Sequence, residues 1–255
     1  MIAKEFPILE FDKEGEPFIR PSHIVQPAEV SEKCVLCFFD EAIEKILKEY
    51  PSKVVSRFVA GGVRIPIYEI EYKGEKVILC QAYVGAPGAV AQIEELTALG
   101  CSKYIACGAC GVLQKDIAAG HIIIPTAAVR DEGASYHYVE PSREITADAR
   151  IVKAIENVLT ERGIPYIKAK TWTTDAFYRE TPRKIQQRVS EGCVTVEMET
   201  SAYFAVSKYN DVDFGQILYA GDSLAGDEWD TRNYNGRVDD RELVLRIALD
   251  ICMNI

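Results

Sequence analysis

The chain has 255 residues, 48% of them hydrophobic and 27% charged, with a formal net charge of -10. That size and balance describe a soluble globular protein with one sizeable core, and the acidic excess excludes a generic nucleic-acid or anionic-membrane surface. No run of about 18 apolar residues reads as a membrane span, and the opening MIAKEFPILEFD lacks the pattern of a signal peptide, so a cytoplasmic location is expected.

Residues 1–30 carry prolines at 7, 17, 21 and 27 and read as an irregular segment that wraps the surface or a neighbouring subunit. Helical spacing of Ala42, Ile43, Ile46 and Leu47 predicts a helix over 39–50, ended by Pro51. Strand-like runs follow at 53–59, 64–72 and 76–84, the last two joined by a Lys73-Gly74 turn. From there the pattern alternates: helix 88–100, strand 103–107, a glycine turn at 108–111 and strand 121–129. Helix 148–162, strand 165–172, helix 182–190 and strand 193–196 come next, then helix 198–209, strand 213–220 and helix 238–252. Strands separated by helices of this length predict an α/β fold, a three-layer α/β/α sandwich with a central mixed sheet. With no repeat, low-complexity stretch or linker, residues 1–255 read as a single domain.

Eight cysteines need an account. Cys34 and Cys37 form one CxxC and Cys107 and Cys110 another, but their separation is far longer than in a compact zinc ribbon. Cys80, Cys101, Cys193 and Cys252 lie in apolar segments and read as reduced core residues. Only three histidines are present, so neither a metal site nor a Ser-His-Asp centre is expected.

Open α/β sheets bind ligands beyond the carboxyl ends of their strands. Small residues Gly85 and Gly88, after strand 76–84, let backbone N–H groups at a helix start approach an anion or a sugar. Gly108 and Ala109 form a second close-approach segment. Phe177 and Tyr178 follow strand 165–172 and are able either to fill the core or to stack on a flat ring. Asp222 follows strand 213–220, as a turn former or as an acid with chemical duty. In CVTVEMETSAYFA, Glu197 and Glu199 flank Met198 between an apolar run and a helical segment. A carboxylate there either caps the helix or holds two adjacent hydroxyls. An aromatic, a diol-binding carboxylate, an acid and glycine segments are together what a nucleoside pocket needs.

These residues also carry a resemblance. From about Lys76 to Gly226 the chain resembles the nucleoside phosphorylase family of uridine phosphorylases, purine nucleoside phosphorylases and methylthioadenosine nucleosidases. The likeness runs through GAPGAVAQIEELTALG, YIACGACGVLQKDIAAGHIIIPTAAVRDEGAS, TTDAFY, VEMETSAYFAVS and YAGDS. It implies that Glu199 binds the ribose 2′ and 3′ hydroxyls, that Met198 packs on the sugar and that Glu197 completes the motif. By the same likeness Phe177 lines the base pocket, and Arg183 falls close to the arginine that uridine phosphorylases set on the uracil carbonyl. Their glutamine two residues earlier is Thr181 here, a departure from the uracil-binding pattern. Asp222 matches the acid that purine-directed members use to protonate or hydrogen-bond the purine N7, so purines are slightly favoured over uridine. The implied partners are a small-molecule nucleoside and further copies of the same chain, as a dimer or hexamer. No cofactor is implied beyond phosphate as a possible co-substrate.

The departures concern the nucleophile. Phosphorolytic members carry a GDPxR-like loop near the N-terminus, where this chain has HIVQPAEVSEK. Their arginine and threonine around the central glycines are Ala106 and Ala109 here, and a dianion without such an arginine loses hydrogen bonds worth roughly 1.5–3 kcal/mol each. Arg64 matches an arginine supplied by a neighbouring subunit only after a one-residue shift, and the water-activating Glu segment of the nucleosidases is missing too. The expectation is a nucleoside phosphorylase-like pentosyltransferase that cleaves the N-glycosidic bond. The nucleophile is held near Gly85, Gly88, Gly108, Ala109 and Arg64. The alternatives are a phosphate-independent nucleosidase and a non-catalytic nucleoside-binding homologue.

Overall fold

The computed structural model describes residues 4–255, so residues 1–3 of the expected irregular segment lie outside the described residues. From Lys4 to Val30 the chain is mostly exposed, with single helical turns at Pro7–Leu9 and Pro21–His23. The first strand is β1, Lys33–Cys37, a buried run that the CxxC spacing had drawn attention to for another reason. It pairs in parallel with two neighbours, and a strand covered on both faces reads as a continuous apolar run too short to classify by periodicity.

Helix α1 (Asp40–Glu49) buries Ala42, Ile43 and Ile46, as its spacing predicted. Strands β2 (Ser52–Ala60), β3 (Val63–Tyr72) and β4 (Glu75–Gln81) form an antiparallel meander, and α2 (Ala86–Leu99) follows. Next come β5 (Lys103–Val112), β6 (Ile122–Asp131), the short β7 (Glu144–Thr146), α3 (Ala149–Glu161), β8 (Tyr166–Thr174) and α4 (Pro182–Ser190). The chain finishes with β9 (Cys193–Glu197), α5 (Thr200–Tyr209), β10 (Asp213–Ser223) and α6 (Val238–Cys252).

The strands form one mixed sheet in the order β2-β3-β4-β1-β5, after which it forks. The first part of β5 pairs in parallel with β10, while Gly111 and Val112 pair antiparallel with Val196 and Thr195 of β9. Because β10 also meets β6, β6 meets β8 and β8 meets β9, the far half of the sheet curls back on β5. Helices α1, α3 and α6 cover one face and α2 and α5 the other, each over its own apolar cluster. The expected α/β sandwich with a central mixed sheet is thus the observed architecture. All eight cysteines are free and buried, as core residues. No helix among the described residues is long and apolar enough to cross a membrane.

One element differs from expectation in a way that matters for the site. The glycine turn placed at 108–111 is the second half of β5. Its small residues serve close packing: a Cβ on Gly108 would stand 2.8 Å from the Phe38 ring, and one on Gly111 would stand 2.7 Å from Leu224. Glycine inside a strand marks such close approach as readily as it marks a turn.

Candidate active site

Five strand ends converge on one region. β4 leads into Gly85, β5 ends at Ala109–Val112, β8 leads to Phe177, β9 to Met198, and β10 carries Asp222. A cavity of about 700 Å³ opens between the last four of these, with Phe177, Glu180, Met198, Asp222, Trp229 and Tyr234 around it. Ala109, Cys110 and Gly111 contribute its floor from β5, together with Val196 and Glu197 of β9.

The junction of β9 and α5 is built by Glu197. Its Oε2 accepts the backbone N–H of Glu199 at 2.7 Å and of Thr200 at 2.6 Å, two of the donors that a helix start leaves open. Its Oε1 accepts the Thr173 hydroxyl at 2.6 Å, so β8, β9 and α5 are tied through one buried carboxyl. Burial pushes that carboxyl up, while the Thr173 hydroxyl and the two backbone donors pull it down. Glu197 is therefore saturated by the protein and works as a cap, the simpler of the two roles read from the sequence.

Glu199 is in a different state. Its Oε1 accepts the Gly85 backbone N–H at 2.5 Å, and the Met198 backbone also favours its ionised form. Burial, and next the charge of Glu197, push its carboxyl up to about 8. It does not itself line the cavity; it lies one residue beyond Met198, which does. Gly85 reaches it with φ +92 and ψ 143, a backbone conformation open to glycine and strained for any other residue.

Asp222 owes its aim to an irregularity. The register of β10 against β5 shifts between Ala220 and Ser223, as in a β-bulge, and such shifts re-aim side chains near sites. Asp222 Oδ2 accepts the Trp229 indole N–H at 2.6 Å. Phe177, half exposed, packs against Tyr178 with ring centroids 4.1 Å apart and planes tilted by 40°, and both rings border the cavity. The reading of these aromatics as core residues does not hold.

Other predicted residues fall elsewhere. Arg183 lies exposed in the first turn of α4 and is not among the cavity residues. Arg64 lies exposed on β3, opposite Val59 in the outer hairpin, and does not reach the cavity within one chain. Gly88 makes room for packing, since a Cβ there would stand 2.0 Å from the Tyr83 ring. Gly108 is buried under Phe38, so of the β5 pair only Ala109 borders the cavity. No group of three or more His, Cys, Asp or Glu side chains among the described residues is placed to hold a metal.

The cavity residues missed in the sequence include Glu180, Trp229 and Tyr234. Glu180 follows the single helical turn Phe177–Arg179, and burial together with the charge of Asp222 pushes it up to about 7. Its place three residues past Phe177 was the available signal. Trp229 and Tyr234 lie on the segment between β10 and α6, which has no periodicity to place it.

Residues 32–250 match the family described as the phosphorylase superfamily. A guanosine phosphorylase of Halorubrum lacusprofundi is 25% identical over 201 residues, covering 76% of this chain and 83% of that protein. A DeoD-type purine nucleoside phosphorylase of Caldanaerobacter subterraneus is 30% identical over 159 residues, covering 62% and 68% respectively. Among solved structures, a uridine phosphorylase of Vibrio fischeri superposes with a TM-score of 0.75 at 24% identity, covering 94% of this chain and 100% of that one, a likeness of fold.

Proposed function

The chain belongs to the phosphorylase superfamily, and from that premise we propose that it cleaves the N-glycosidic bond of a purine nucleoside. The observation that carries the reading is the placement of Glu199, fixed by Gly85, beside a cavity bordered by Met198, Phe177 and Asp222. Glu199 Oε2 accepts the ribose hydroxyls, Met198 packs on the sugar, and Phe177 stacks on the base. Holding the sugar at its diol aligns C1′ for attack while the C1′–N bond breaks through an oxocarbenium-like state. Asp222 faces the departing base and offsets the positive charge that a proton brings to it. The purine preference rests on Asp222 at the cavity.

A second reading concerns the nucleophile. The charged side chains around the cavity are Glu180, Glu197 and Asp222, all acids. Arg241, whose guanidinium lies 4.9 Å from the Tyr234 ring centroid, is already engaged by Glu41 at 2.6 Å. Among the described residues that line the cavity a phosphate dianion meets no free cation, which favours water as the nucleophile unless a second subunit supplies one. Exposed Phe6, Phe18, Ile19 and Ile24 on the N-terminal segment support a homo-oligomer within this reading.

The test is base release from inosine, guanosine, adenosine and uridine, with and without phosphate. Phosphate-dependent release identifies a phosphorylase and phosphate-independent release a nucleosidase. Binding without release from any of them refutes the catalytic reading.

A further inference from the structure

Glu180 borders the same cavity as Asp222 and takes no part in holding the sugar. Its backbone is fixed by its N–H donating to the Phe177 carbonyl at 3.2 Å, closing the turn that carries the aromatic pair. Its carboxyl makes no hydrogen bond to a described residue. The cation nearest to it in charge terms, Lys184, is committed elsewhere: its Nζ lies 3.2 Å from Asp131 Oδ2 and 5.8 Å from the Trp172 ring centroid. The other acids of the cavity are already served. Glu197 is saturated by its donors, and Asp222 accepts the Trp229 indole N–H, a contact that suits a carboxylate.

Resting on the nucleoside-cleavage reading, we propose that Glu180 is the proton donor to the departing purine, and that Asp222 is the carboxylate that receives the resulting N–H. In the step, the Glu180 O–H proton passes to the imidazole nitrogen of the base. The electron pair of the C1′–N bond then moves into the ring, and the base leaves neutral. Water or phosphate bonds to C1′. Glu180 is left as a carboxylate, reprotonated by the proton that water sheds or, with phosphate, from solvent. Burial and the like charge of Asp222 push Glu180 up to about 7, so the proton is available near neutral pH, where general acids work best. Two neighbouring carboxylates placed so that one keeps its proton divide acid and acceptor between them.

The experiment compares the wild type with Glu180→Gln and Glu180→Asp on inosine and on 7-methylguanosine. The base of 7-methylguanosine already carries its positive charge at the ring nitrogen and needs no proton to leave. Glu180→Gln is expected to lower kcat on inosine by about 10²-fold or more, yet to leave 7-methylguanosine within about threefold of wild type. Glu180→Asp, which keeps a proton, is expected to recover part of the inosine loss. Equal losses on both substrates mean a structural role, and no loss on inosine means no role; either overturns the proposal while wild-type base release leaves the nucleoside reading standing. A wild type that releases base from neither substrate overturns that reading and the Glu180 role with it.

Discussion

The backbone N–H of Gly85 donates to Glu199 Oε1 at 2.5 Å, joining two strand ends 114 positions apart in sequence. One oxygen of the carboxyl is thereby held by the protein. Its geometry is set by the β4–α2 loop on one side and by the Glu197 cap on the other, so the group is held from both directions before any sugar arrives.

Glu199→Ala removes the proposed acceptor for the ribose hydroxyls. Above pH 8, where the carboxyl is ionised, losing hydrogen bonds to a charged group worth roughly 1.5–3 kcal/mol lowers kcat/KM by about 10²-fold. The check is to compare ribonucleosides with their 2′-deoxy counterparts. The variant should lose less on the deoxy substrate, and a kcat/KM for ribonucleosides near wild type rules out the diol role.

The titration of Glu199 gives a pH signature. Its carboxyl stands at about 8 when folded against an ordinary 4.5. Between those values the folded state holds a proton that the unfolded chain has lost, so stability falls as pH rises through that window. Glu180, raised to about 7, acts in the same direction. Melting temperatures from pH 5 to 9 should decline less steeply in Glu199→Gln than in the wild type. Ribose hydroxyls donate to the ionised form, so nucleoside binding should tighten as pH rises toward 8 and release a proton, readable by calorimetry in buffers of different ionisation enthalpy.

Gly85→Ala tests the backbone half of the same contact. Open space surrounds the position, but its φ of +92 is costly for alanine. A stability loss of about 1–3 kcal/mol is expected, with a rise in KM as the N–H swings away from Glu199. A melting temperature and KM unchanged from wild type would remove the strain argument.

Much of this arrangement was legible in the sequence because its elements are long and periodic. Helix α6 runs over Val238–Cys252, the predicted span, and the β9–α5 junction falls where VEMET places it. What escaped was decided by tertiary packing. Gly108 and Gly111 looked like a turn because glycine has no pattern of its own, and only the Phe38 and Leu224 side chains against them explain a continuous strand. β1 escaped for a related reason: four of its five residues are buried, and so short an apolar run has no polar face to mark its period. Glu180 escaped because a single exposed-looking acid after an aromatic pair acquires meaning only when a strand remote in sequence brings Asp222 beside it.

Glu197 separates capping from chemistry. Glu197→Ala leaves the buried N–H groups of Glu199 and Thr200 without partners, and a loss of about 3 kcal/mol is expected. Glu197→Gln keeps an oxygen for those donors and presents its amide to the Thr173 hydroxyl, which is able to accept as well as donate, so a cost nearer 1 kcal/mol is expected. Chemical denaturation of both variants reads the difference. Equal destabilisation would mean that the cap geometry does not govern the junction.

Asp222 and Trp229 form the last coupled pair. Asp222→Asn replaces the carboxyl proposed to face the base with a neutral amide, which stabilises a protonated leaving group far less. A fall of about 10²-fold in kcat on purine nucleosides is expected, with a much smaller change in any residual uridine turnover, because a pyrimidine has no imidazole nitrogen to protonate. Trp229→Phe keeps a ring at the cavity but removes the indole N–H that holds Asp222 Oδ2 at 2.6 Å. The carboxylate then loses one charge-assisted hydrogen bond, and a loss of about tenfold on the same substrates is expected. If the contact acts only by orienting Asp222, the double variant should be no worse than Asp222→Asn alone. Additive losses would instead place Trp229 on the base directly, and equal losses on purine and pyrimidine substrates would remove Asp222 from base recognition.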